Sequence, residues 1–87
     1  MGDYSIQLKP SARKELEALP DRILARIVQK LELLSITPRP AGCKKLKGIS
    51  DTYRVRVGDY RILYRIEDSL LIIEVIRIAN RKDAYKL

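Results

Sequence analysis

The 87-residue chain has no histidine, no tryptophan, no phenylalanine and a single cysteine, Cys43. Histidine is the side chain that ordinarily titrates near neutral pH, so a general base of that kind, and any triad built on one, is excluded. A zinc site of the usual Cys/His composition is excluded with it. One thiol cannot close an intramolecular disulfide, which suits a reducing compartment, and with no histidine to activate it Cys43 is read as a packing residue. Long apolar runs are missing as well: nothing approaches the ~18 consecutive apolar residues of a membrane-spanning helix. The first residues, MGDYSIQLKP, lack the basic stretch and apolar run of a secretory signal. A cytoplasmic protein with no metal, no cofactor and no membrane contact is expected.

What is present is charge on a foldable background. Charged residues make up 33% of the chain and hydrophobic ones 46%, against a usual charged share of about 25%. A chain this short buries somewhat over ~60% of the surface it exposes when unfolded, enough for one small domain over residues 1–87. Lys and Arg number 18 and Asp and Glu 11, a net charge of +7. The excess is uneven: residues 1–43 hold 7 basic and 5 acidic groups, residues 44–87 hold 11 and 6. The C-terminal half is therefore where an anionic partner belongs, nucleic acid first and an acidic protein second.

Hydrophobic spacing predicts the order β-α-α-β-β-β. Residues 4–8 (YSIQL) alternate weakly, as a short strand does. Ser11 suits a helix N-cap, and Ala12, Leu16 and Leu19 share one face of a first helix that stops at Pro20. Asp21 suits the cap of a second helix, with Ile23, Leu24, Ile27, Val28, Leu31 and Leu34 as its apolar stripe and TPRP at 37–40 as its end. Residues 41–52 are read as a basic loop. TYRVRV and YRILYRI then flank Gly58-Asp59, a two-residue hairpin connection. Residues 70–78 (LLIIEVIRI), after a turn at Glu67-Asp68, are read as a central strand covered on both faces. The fold class expected is α+β, a small antiparallel-rich sheet with an N-terminal helical hairpin packed on one face.

The hairpin carries the functional signal. With Gly58 and Asp59 as the loop, Val57 faces Tyr60, Arg56 faces Arg61, Val55 faces Ile62 and Arg54 faces Leu63. Tyr53, Val55, Val57, Tyr60, Ile62, Tyr64 and Ile66 then form a core face, and Arg54, Arg56, Arg61, Leu63 and Arg65 the opposite one. Like charges directly across a strand pair are destabilising. A face that tolerates four arginines is a candidate anion site. Glu74 would face Arg61 if the third strand returns through a two-residue turn. The tail adds Arg77, Arg81, Lys82 and Tyr85, a ring beside guanidinium groups of the kind on which a nucleobase stacks. Lys44, Lys45 and Lys47 add positive charge on the preceding loop. Leu63, Leu70, Ile72 and Ile76 would leave apolar area beside the arginines for an acidic peptide.

Four blocks, ALP at 18–20, KKLKG at 44–48, YRVRVGDYRILYRI at 53–66 and IRIANRKDAY at 76–85, resemble the RelE/ParE superfamily of toxins from type II toxin–antitoxin modules, most closely its RelE branch. The resemblance implies a ribosome-dependent endoribonuclease that cuts mRNA in the decoding site by attack of a 2′-hydroxyl on the adjacent phosphate. It implies a RelB-like antitoxin partner, with operator DNA reached only through that antitoxin. It maps catalytic roles onto Arg54, Arg56, Arg61, Arg81 and Tyr85, with Arg65, Lys44, Lys45, Lys47, Arg77 and Lys82 as further phosphate contacts. Arg54 and Arg56 stand where some relatives have lysines, and Asn80 where many have histidine. Two other readings fit the hairpin: a ParE-like inhibitor of DNA gyrase, and a non-catalytic RNA-binding adaptor.

Overall fold

The computed structural model describes residues 3–84. Its elements are β1 (Ser5–Leu8), α1 (Pro10–Glu17), α2 (Asp21–Ile36), β2 (Lys44–Lys45), β3 (Thr52–Val57), β4 (Tyr60–Glu67), β5 (Ile72–Asn80) and α3 (Arg81–Ala84). The five strands form one sheet in the order β1-β5-β4-β3-β2, with β1 parallel to β5 and every other pair antiparallel. Ala12 of α1 and Ile27, Leu31 and Leu34 of α2 pack onto one face, against Val55, Val57, Ile62, Tyr64, Ile66, Ile73, Val75 and Ile78. Both helices lie on that face, so the core is a single layer between helices and sheet.

The helix starts differ from expectation in a consistent way. Lys9 is the N-cap of α1 and Pro10 its first residue, which leaves Ser11 inside the helix; Pro20 is the N-cap of α2 and Asp21 its first residue. Proline has no amide proton to leave unsatisfied and a φ already suited to a helix, so it takes the first-turn position at α1. Helix α1 ends at Glu17, three residues before Pro20. Ile27, Leu31 and Leu34 are buried as the stripe requires, while Val28 is exposed. The expected loop at 41–52 contains a short strand, Lys44 and Lys45 pairing with Arg54 and Tyr53.

The β3–β4 hairpin has the expected register, Arg56 opposite Arg61 and Arg54 opposite Leu63. Gly58 carries a φ of +59° while Asp59 does not enter the left-handed region. Positive φ at the first central residue alone is the pattern of a type II′ turn, for which Gly-Asp is the favoured order. The β4–β5 connection departs from expectation. It is a 3₁₀ turn at Asp68–Leu70 closed by Leu71 at φ 53°, and β5 starts at Ile72. Glu74 consequently faces Arg65, not Arg61, and the register shifts again between Leu63 and Tyr64, where Ile76 is the extra residue on β5. Strand β5 is central, yet its second face is only half covered: Ile73, Val75 and Ile78 are buried while Ile72 and Ile76 are intermediate.

A polar cluster fastens the chain after α2 to the sheet. Arg39 donates to Asp68 Oδ2 at 2.8 Å and to the Tyr53 hydroxyl at 3.1 Å, and lies over the Tyr53 ring at 5.2 Å. Tyr4 donates to Asp68 Oδ1 at 2.7 Å. The Arg39 hydrogen bond, then the one from Tyr4, hold the Asp68 carboxyl below the usual carboxylate range. A depressed carboxyl contributes stability that is present above the unfolded value of about 4 and is lost as pH falls through the folded one. Asp68→Asn is therefore expected to flatten the dependence of the thermal midpoint on pH below about 4. Parallel acid profiles for the two proteins would remove Asp68 from the account.

Candidate functional site

Strands β3 and β4 present the arginines because their other face is needed for the core. Val55 and Val57, and Ile62, Tyr64 and Ile66, are buried, so the period of two sends Arg54, Arg56, Arg61 and Arg65 to the opposite side. Three of these converge with the short strand: Gly42, Lys44, Arg54, Val55, Arg56 and Arg61 line an open depression of about 190 Å³. Lys44 enters because β2 pairs it directly with Arg54. Gly42, in the same lining, has a φ of +90°, a backbone conformation that glycine adopts readily and other residues rarely do. Among the described residues the lining of the depression holds four cationic side chains, Lys44, Arg54, Arg56 and Arg61. Arg56 is exposed and its Nε donates to the Gly58 carbonyl at 3.3 Å, whereas Arg54 and Arg61 are half-buried. A tetrahedral anion with several oxygens is the ligand such a cradle fits, since guanidinium donors match phosphate oxygens in pairs.

The other expected site residues are not all drawn to this place. Arg65 is held by carboxylates, with Glu67 at 2.5 Å and Glu74 at 3.9 Å. Arg77 is engaged by Glu15 of α1, whose Oε2 lies 3.1 Å from Arg77 Nε while its Oε1 accepts from the Ile78 amide at 2.8 Å. One carboxylate thus satisfies both a backbone donor and a side chain at the β5 irregularity, which turns Arg77 towards the helix layer. Arg81 stands at the same end of the sheet as the hairpin turn: its amide donates to the Asp59 carbonyl at 2.6 Å. With Asp59, Asn80 and Lys82 it lines a separate depression of about 540 Å³. The Asn80 side chain accepts from the Lys82 amide at 3.1 Å, opening α3. Lys45 and Lys47 line a different surface, around the loop Lys45 to Ser50. Tyr85 lies outside the described residues.

Three residues of this region escaped the sequence reading: Gly42, Glu15 and Arg26. The Arg26 guanidinium packs against the hairpin turn so closely that a Cβ on Gly58 would stand 3.1 Å from its Nη1. Its signal was present in the sequence, as a basic residue on the polar side of α2, but nothing local ties that position to a turn more than thirty residues on.

Among the described residues no helix is long and apolar enough to cross a membrane. The family model described as "ParE toxin of type II toxin-antitoxin system, parDE" matches residues 6–85. Toxin RelG of Mycobacterium tuberculosis is 34% identical over 84 residues, covering 95% of this chain and 97% of that protein. Toxin RelE of the same organism is 30% identical over 86 residues, covering 97% and 88%. Among solved structures, the archaeal RelE–RelB complex from Pyrococcus horikoshii matches with a TM-score of 0.81 at 27% identity, over 91% of this chain and 96% of that one. A toxin–antitoxin complex from M. tuberculosis matches with a TM-score of 0.79 at 34% identity, over 91% and 99%. A match along nearly the whole chain, on a fold whose arginine face is intact, means that the protein belongs to the RelE/ParE family of toxins of type II toxin–antitoxin systems.

Proposed function

We propose that the protein is a ribosome-dependent endoribonuclease that cleaves mRNA in the decoding site and is neutralised by a RelB-like antitoxin. The observation that carries this reading is the convergence of Arg54, Arg56, Arg61 and Lys44 on one depression. In the reaction, a ribose 2′-oxygen forms a bond to the adjacent phosphorus while the bond from phosphorus to the 5′-oxygen of the next nucleotide breaks. The products are a 2′,3′-cyclic phosphate and a 5′-hydroxyl, and the proton released by the 2′-hydroxyl is balanced by one taken up at the leaving oxygen. Negative charge grows on the non-bridging oxygens and on the leaving oxygen. Fixed cationic donors aimed at those oxygens lower the barrier most where charge develops. Arg54, Arg56 and Arg61 serve the phosphate, and Arg81, one depression away, serves the leaving group or the flanking nucleotide.

Arginine as a side-chain type is a poor proton donor or acceptor in catalysis and a strong fixed cation. The division of labour is therefore electrostatic on the side of the protein, with Tyr85 stacking on a base or passing a proton, and with the in-line geometry imposed by the ribosome. Free RNA is accordingly a poor substrate. Arg65, Lys45, Lys47, Arg77 and Lys82 hold flanking phosphates at most, since Arg65 and Arg77 are already engaged by carboxylates.

Primer-extension mapping on a translating mRNA tests the reading. Cuts within the codon in the decoding site, absent without ribosomes and lost in an Arg81→Ala/Tyr85→Phe variant, are expected. An uncut message would sink the nuclease. The family model is described by its ParE toxin, and the alternative of a ParE-like inhibitor of DNA gyrase is decided by a supercoiling assay with the same protein. Retained RNA binding without cuts would select a non-catalytic adaptor.

A further inference from the structure

A second basic cleft lies beyond the hairpin turn. Arg26, Gln29, Lys30 and Leu33 of α2 form one wall, and Arg56 and Gly58 close it, around a space of about 330 Å³. Positions 26, 29, 30 and 33 share one face of the helix by spacing. Arg56 lines both this cleft and the depression of the arginine face, so the two run on from one another along β3. Strand β2 pairs only with Tyr53 and Arg54, which leaves the flank of β3 from Val55 to Val57 free of that neighbour where the two spaces meet.

We propose that this cleft holds the phosphodiester backbone of the same RNA strand whose scissile phosphate sits among Arg54, Arg56 and Arg61, with Arg26 and Lys30 on phosphate oxygens and the Gln29 amide beside them. The inference rests on the nuclease reading for the position of the scissile phosphate. Among the described residues the lining has three cationic side chains and no carboxylate, so these charges repel one another and favour an anion between them. Lys30 is half-buried, which limits the counterion screening that an outlying lysine receives. Leu33, exposed at 44%, gives the same cleft an apolar surface for a ribose or base. A ligand that is anionic at regular intervals and long enough to pass Arg56 satisfies both spaces together; an RNA strand has that form.

The test uses the full-length protein and 2′-O-methyl oligouridylates of two lengths, a dinucleotide and a dodecamer, neither of which can be cut through a 2′-hydroxyl. Binding is followed by fluorescence anisotropy over a salt series. The dodecamer is expected to bind more tightly than the dinucleotide, and Lys30→Ala and Gln29→Glu each to reduce that length advantage about threefold or more. Lys30→Ala is also expected to lower the slope of log affinity against log salt by about 0.7, the share of one single-strand phosphate. Lys14→Ala, at an exposed position of α1 outside the cleft lining, removes the same one unit of charge and controls for net charge. Gln29→Glu removes no packed cation, so the proposal does not depend on the folding of the lysine variant. An unchanged length advantage in both variants, or a dodecamer bound no better than a dinucleotide, overturns the cleft. So does a loss confined to the complex with an acidic antitoxin, which would assign the surface to protein. Cleavage on ribosomes is measured separately: failure there removes the nuclease reading while the length dependence still reports on the cleft.

Discussion

Arg61→Gln is expected to slow cleavage of ribosome-bound mRNA about 100- to 1,000-fold, the usual cost of removing one preorganised donor from a developing oxyanion. Arg61 is the residue to choose because it sits on β4, in the interior of the sheet, with Arg56 on one side and Ala79 on the other. Its backbone cannot drift as an edge strand can, and its side chain is half-buried. Glutamine keeps a polar stem and removes the fixed charge, so the loss should appear at saturating ribosomes rather than as weaker binding. Stability should respond little. The Arg56 and Arg61 pairing places like charges across a strand pair, an arrangement whose relief is worth about 0.2–1 kcal/mol. A thermal midpoint within a few degrees of the parent, with single-turnover cleavage at least 100-fold slower, is the expected combination. Cleavage within a factor of three of the parent would remove Arg61 from the chemistry and leave it a binding residue.

The arginine face was legible in the sequence because its logic is local. A two-residue connection fixes the register of a hairpin, the register fixes which side chains share a face, and the alternation in TYRVRV and YRILYRI then separates charge from core. The position of Glu74 was not legible, and the reason is physical. The return from β4 to β5 depends on Leu71 at a φ of 53°, a conformation for which leucine is poorly suited and which no turn residue announces. Moving the turn by this amount carried Glu74 from Arg61 to Arg65, so that Ala79 is the residue of β5 opposite Arg61. The irregularity at Ile76 compounds the shift. A uniform apolar run such as LLIIEVIRI does not mark where a bulge falls, so the side towards which Arg77 turns is decided by Glu15, some sixty residues earlier.

Arg39 was hidden for a related reason. TPRP was legible as a helix stop, and the same four residues also anchor the sheet: Arg39 reaches Asp68 and Tyr53, and the Pro38 carbonyl accepts from Tyr64. Prolines that end α2 also hold the segment in one conformation, which lowers the entropy lost in placing Arg39. These contacts join parts of the chain far apart in sequence, and no periodicity reports them. They also brace β3 and β4 from the core side, so the geometry of the cationic depression depends on packing beneath it.

Tyr64 is the largest fully buried side chain and the centre of that packing. Its ring stacks with Tyr53 at 6.0 Å between centroids, and its hydroxyl donates to the Pro38 carbonyl at 2.8 Å. Tyr64→Ala is expected to cost about 3–5 kcal/mol, the range for emptying a buried aromatic site. Against a total of roughly 4–13 kcal/mol for a chain of this length, that lowers the thermal midpoint by about 12 °C or more. Tyr64→Phe keeps the ring and removes only the hydrogen bond, at a cost of about 1 kcal/mol. The two variants separate packing from polarity, and pH separates them further. Burial, with Cys43 and Tyr53 beside the hydroxyl, pushes the Tyr64 phenol well above its usual range. Above about pH 10 the unfolded chain releases this proton while the folded chain retains it. The folded state then binds more protons than the unfolded one, so stability falls as pH rises from that point. Denaturant titrations between about pH 8 and 12 should show this decline in the parent and a shallower one in Tyr64→Phe. Identical alkaline slopes would mean that the hydroxyl reaches water, and that the bond to Pro38 is not what holds the end of α2 against the sheet.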